Sequence, residues 1–188
     1  MSKCKRLKFI IFFLLLFFCW PFLLEGREAK FADLLTTNNV DHILVYGRVT
    51  NCFTESMESA ILAGVPTTFT FLLDFYQERP NLPDKRLARC VVKNTIKYDN
   101  VKKIFTVSST EGRKSTTFQT FEHAKAALAE LNGVAVIPLS ALTSSESYYL
   151  MVKAQLDKVR LPLHMEYLFF FVSLWDFETD WFMQRIKY

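Results

Sequence analysis

Glycine, proline and histidine are scarce in this chain of 188 residues: five, six and three, respectively. With 51% hydrophobic residues, that scarcity excludes a collagen-like, low-complexity or intrinsically disordered chain. His42, His123 and His164 are far apart in sequence, so no histidine pair has the spacing of a zinc site. Nucleophile elbow, phosphate loop and HExxH motif are missing as well. Neither a cofactor nor an enzymatic reaction is expected.

An excess of positive charge is missing too, once its position is considered. The totals are 23 basic and 19 acidic residues, and positions 1–30 hold six of the basic and two of the acidic ones. The remainder carries 17 of each. A neutral body without a basic run lacks the electrostatic footprint of a nucleic-acid binder. The length suits one domain with a full core.

What is abundant is phenylalanine, 19 residues, and much of it lies at the N-terminus. Lys3, Lys5, Arg6 and Lys8 precede an unbroken apolar run of 16 residues, Phe9 to Leu24. A basic region followed by an apolar one marks a secretory signal or signal anchor, at the short edge of the ~17–25 residues that span a bilayer. Signal peptidase favours small residues at −3 and −1. Cleavage after Ala29 or Gly26 would place Arg27 or Leu24 at −3, so an uncleaved anchor is the preferred reading. Phe17 and Phe18 before Cys19 argue against lipidation. The positive charges stay cytoplasmic, which sends the rest outward. The expected location is the periplasmic side of the inner membrane, tethered there, or free in the periplasm if the leader is cut.

The organising stretch of the body is Val65 to Tyr76 (VPTTFTFLLDFY). Phe69, Phe71, Leu73 and Phe75 alternate, so in a strand all four leave one face. Before it, His42 to Val49 reads as a strand. Thr54 caps a short helix with Met57, Ile61 and Gly64 at helical spacing, and Gly64 and Pro66 end it. After it, Leu87–Tyr98 and Val101–Ser108 read as two further antiparallel strands joined at Asp99-Asn100. A second helix begins at Thr117 or Thr120, carries Phe121, Ala124, Leu128 and Leu131 as its apolar stripe, and ends at Asn132-Gly133. Val134–Leu139 and Ser147–Val159 are strands, the former an edge because of Pro138. From Leu163 to Tyr188 a helix to about Val172 and then a strand is favoured.

The expected fold is therefore α+β: a mainly antiparallel sheet of about six strands, order β-α-β-β-β-α-β-β, with two helices packed on it and an N-terminal signal or transmembrane helix. An immunoglobulin-like β-sandwich is the alternative. The domains expected are a leader at 1–24, a polar linker at 25–41 and one exported domain at 42–188.

Candidate sites are few. Cys4 and Cys19 belong to the leader, which leaves Cys52 and Cys90, 38 residues apart. They are either one disulfide, which an exported compartment permits, or two buried thiols. Asp176, Glu178 and Asp180 are evenly spaced carboxylates, more in keeping with a solvated edge than with a cation site. Phe169, Phe170, Phe171, Trp175 and Trp181 crowd the C-terminal stretch. They are core, or else an exposed aromatic patch facing a partner or a membrane.

The order of these segments and several short phrases resemble the domain of unknown function 4390 family of bacterial proteins. The phrases are LAGVP ahead of TFTFLLDF, then KYDNVKKIFTV, TFEHAKAALAEL, YYLMVKAQLDKVRLP and WDFETDWF. The likeness runs from about Phe31 to Trp181. Family members often carry tryptophans and extra arginines after the central strand, where this chain has QERPNLPDK. The resemblance implies an envelope protein of Gram-negative type and implies no activity. Two functions remain. One is a membrane-tethered, non-enzymatic module or accessory that contacts another envelope or membrane protein. The other is a binder of a lipid or other apolar ligand between sheet and helices.

Overall fold

A computed structural model describes residues 28–113, 115–157 and 177–186. The described elements run β1 (Lys30–Asn38), β2 (His42–Thr50), α1 (Glu55–Leu62), β3 (Thr67–Gln77), β4 (Lys85–Asp99), β5 (Ile104–Ser109), β6 (Ser115–Phe118), α2 (Phe121–Leu128), β7 (Glu130–Pro138), β8 (Tyr148–Leu156) and β9 (Phe182–Ile186). All strand pairs are antiparallel. They form a large sheet of order β6-β5-β4-β3-β8-β9 and a small one of order β1-β2-β7.

The phenylalanine-lined run is β3, and it lies in the interior of the large sheet between β4 and β8. Phe69, Phe71, Leu73 and Phe75 are completely buried on one face. Register carries that face outward: Leu73 opposes Cys90 and Val152, and Phe71 opposes Val92 and Ala154. Directly paired residues share a face, so the apolar alternation of three strands adds up to one wall. Each fully buried Phe contributes about 1.5–3 kcal/mol of transfer free energy.

The small sheet and both helices pack on that wall. From the small sheet Phe31 meets Phe71 edge-on at 6.3 Å between ring centroids. Phe53, just before α1, stacks on Phe69 at 5.4 Å, and Phe177 tilts against the same ring at 4.8 Å. On α2, Ala124 and Leu128 are buried, and Phe121 stacks on Phe105 of β5 at 5.2 Å. One Lys125 ties the helices together: its Nζ lies 2.7 Å from Glu58 of α1 and 2.9 Å from Glu122. It also sits 4.8 Å from the centroid of Phe121. Part of the core is thus sheet on sheet, but the helices complete the layer and the class is α+β.

Helix α1 begins as the sequence implies. The Thr54 side chain accepts from the Met57 N–H at 3.2 Å, and Gly64 takes φ 89°, a conformation that costs a residue with Cβ. Three expectations need correction. The polar stretch expected to be linker contains β1, whose Leu35–Asn38 pair with Ile43–Tyr46 of β2. Asn132-Gly133 does not end α2, which stops at Leu128. Those two residues instead form a bulge within β7, opposite Tyr46, with Gly133 at φ 71°. A short strand, β6, was not anticipated, and the described strands number nine rather than six. The leader and the helix expected before Val172 lie outside the described residues.

Candidate functional site

The large sheet has a second face, made by the alternate residues. It mixes exposed apolar side chains with buried Thr70, Asp74 and Tyr149. Cross-strand register sets out its rows. Val91, Leu72 and Lys153 are neighbours in one, with Trp181 beside Lys153; Arg89, Asp74, Met151 and Met183 form the next. Tyr76 and Tyr149 follow, their rings stacked at 5.1 Å and almost parallel. Val91 is 48% exposed, Met183 56% and Trp181 38%. These are large apolar groups on a strand surface that water would be expected to claim.

Charges on this face are arranged around that band. The Asp74 carboxylate is buried and accepts two hydrogen bonds from Arg89, at 2.6 and 2.5 Å, while Arg86 lies 3.7 Å away. Two guanidinium groups therefore share one carboxylate, which leaves a local positive excess beside Val91 and Met183. At the far end Asp157 accepts from Thr70 at 2.5 Å and from Lys93 at 2.6 Å. Glu178 pairs with Lys153, whose ammonium lies 5.6 Å from the centroid of Trp181. Tyr149 donates to Asp84 at 2.8 Å. Burial first, and then that carboxylate, push its phenol up to about 12.

On the opposite, core-facing side is a cleft of about 610 Å³, between α2, the ends of β4 to β6 and the start of β7. This falls within the ~300–1,000 Å³ typical of small-molecule sites. Its wall mixes apolar groups such as Val92, Val107, Phe118 and Leu131 with Asn94, Glu111, His123 and Glu130. Asn94 is only 4% exposed. Its Nδ2 donates to the carbonyls of Leu128 at 3.2 Å and Glu130 at 2.9 Å, and its Oδ1 is buried without a partner.

The residues singled out in the sequence do not converge. Cys52 is buried after β2 with Sγ directed to the Val49 carbonyl at 3.6 Å, and Cys90 lies on β4 with Sγ 3.5 Å from the Val136 carbonyl. Both are free thiols. Burial pushes Cys52 up to about 12; burial, then the charges of Glu111 and Asp74, raise Cys90. His42 opens β2 opposite Pro138, His123 is at the cleft, and His164 lies outside the described residues. Of the aromatic patch only Trp181 is described; Phe169, Phe170, Phe171 and Trp175 lie outside. Glu178 is spent on its ion pair and Asp180 is exposed. No group of three His, Cys, Asp or Glu converges among the described residues.

Asn94 and the exposed rows were overlooked in sequence. The signal for Asn94 was present: a polar residue at the inward position between Val92 and Ile96. Val91 and Met183 had no comparable signal, because which face stays open depends on where the small sheet lands.

Among the described residues no helix is long and apolar enough to cross a membrane. No curated protein and no solved structure matches the chain. A family model described as Domain of unknown function (DUF4390) matches residues 27–185, and the chain belongs to that family.

Proposed function

We propose that this protein is a non-enzymatic interaction module, tethered to the cytoplasmic membrane by its N-terminal segment, with its body in the periplasm. Its partner is another envelope or membrane protein, and the open face of the large sheet is the surface that meets it. The observation that carries this reading is the exposed apolar trio Val91, Trp181 and Met183 on the second face of the large sheet, with half-buried Leu72 and Met151 between them.

The charges specify the partner's chemistry. Two arginines around one buried Asp74 call for an apolar patch edged by a carboxylate, since such charge pairing orients and selects a partner more than it tightens binding. A neutral body and a basic leader support the tether and argue against nucleic acid. No cofactor is required.

Two measurements test this. Protease added to spheroplasts should digest the body, whereas protection of the body would contradict the periplasmic placement. Full-length chain solubilised from its membranes should retain a reproducible partner that the Val91→Lys, Met183→Lys double variant loses. The reading fails if no partner recurs, or if the double variant retains the same one.

A further inference from the structure

We infer that the β4–β5 turn lies against the bilayer that holds the N-terminal segment, with Val101 among the lipid headgroups and the lysines around it on anionic phosphates. The inference rests on the tether proposed above and not on the partner at the open face.

The fold places the turn and the tether at one end of the molecule. Asn94 donates to the Glu130 carbonyl at 2.9 Å, and earlier on β4 the Cys90 Sγ lies 3.5 Å from the Val136 carbonyl. Strand β7 therefore runs beside β4 with its start towards Asp99. Arg48 of β2 pairs with Glu130, and Lys30 of β1 pairs with Thr50, so β1 starts at that same end. Lys30 follows Leu24, the last residue of the apolar run, by six residues, about 20 Å at full stretch. The β1–β2 turn with Val40 lies at the opposite end.

The residues of the β4–β5 turn are unusual for one bathed in water. Asp99 sets its shape: Oδ1 accepts from the Val101 and Lys102 N–H groups at 3.0 Å each, and the carbonyl accepts from Lys103 at 2.8 Å. None of these bonds uses the side chains at 101 to 103. Yet Val101 stands 92% exposed, where a polar residue would serve the turn as well. Lys103 takes φ 57°, a region that Gly or Asn enters at less cost. Lys97, Lys102 and Lys103 are all exposed, and Asp99 is the one carboxylate from 97 to 103. Helix α1 ends against the turn, since a Cβ on Gly64 would lie 3.2 Å from the Asn100 amide, and Leu62 nearby is 44% exposed. An apolar tip among lysines matches a headgroup layer, which takes the apolar group below and the ammonium groups at its phosphates. The short tether makes the contact intramolecular, so a weak one is enough to orient the body.

The full chain, methyl-labelled at Val and Leu, is placed in nanodiscs of phosphatidylglycerol and phosphatidylcholine in equal parts. Some headgroups carry a gadolinium chelate, and NMR relaxation is recorded. Val101 and Leu62 should relax several-fold faster than Val40, which is also 92% exposed. Lys102→Glu with Lys103→Glu should bring Val101 down to the rate of Val40 and leave the other methyl shifts in place. If the chain stays in the discs but Val101 relaxes no faster than Val40, or the double variant does not slow it, the inference is overturned and the tether stands. A chain that leaves the discs on gel filtration removes the tether and the inference together.

Discussion

Phe71 lies where the two sheets meet, completely buried and in edge contact with Phe31. Truncation there removes a ring from both layers, so Phe71→Ala should lower stability by about 3–5 kcal/mol, read as a shift in the urea midpoint. A cost under ~1 kcal/mol would mean the sheets do not share a core. Tyr149 and Cys52 predict behaviour at alkaline pH. Both hold their protons up to about 12 in the folded chain, whereas unfolded Cys ionises near ~8.5 and Tyr near ~10. Their contribution is complete below those unfolded values and is lost as pH rises towards 12. Urea midpoints of the wild type should therefore fall through this window. Tyr149→Phe should start lower, having lost the bond to Asp84, but fall less steeply above pH ~10; parallel curves would contradict the assignment. Single residues were legible where they sat in an alternating run, as Phe69 to Phe75 do. Asn94 was visible as a polar interruption, yet its partners come from 34 and 36 residues further on, and no local pattern supplies those.

Among the elements, the hairpin β3–β4, helix α1 and strand β8 were readable because periodicity and end signals agreed there. Strand β1 was not. Its pairing shifts register between Ala32 and Leu35, and Asp33 has φ 54°, so Phe31, Leu34 and Leu35 break the period of two. Strand β6 is four residues long and mostly hydroxyl side chains, too polar and too short for its pattern to register. The bulge in β7 hid behind Asn-Gly, which reads equally well as a helix stop. Gly133 is held there at positive φ, and a Cβ would come 3.2 Å from the Tyr46 hydroxyl. Gly133→Ala should accordingly cost about 1–2 kcal/mol by thermal or urea unfolding. No change would mean that the strand does not need the bulge.

At the level of the whole molecule, class and family were legible, since long apolar alternation and segment order survive without knowledge of tertiary pairing. How the sheets pair was not. That β7 joins β2 rather than β8 is decided by contacts far apart in sequence, and this choice covers one face of the large sheet, while among the described residues the other keeps Val91, Trp181 and Met183 exposed. The functional proposal depends on that asymmetry. Its most direct test is photo-crosslinking in intact cells, with benzoylphenylalanine placed singly at Val91 or Met183 on the open face, or at Leu62 on α1, also exposed. One discrete adduct from positions 91 and 183 and none from 62 is the predicted result. No adduct from the open face, or the same adduct from 62, would contradict it.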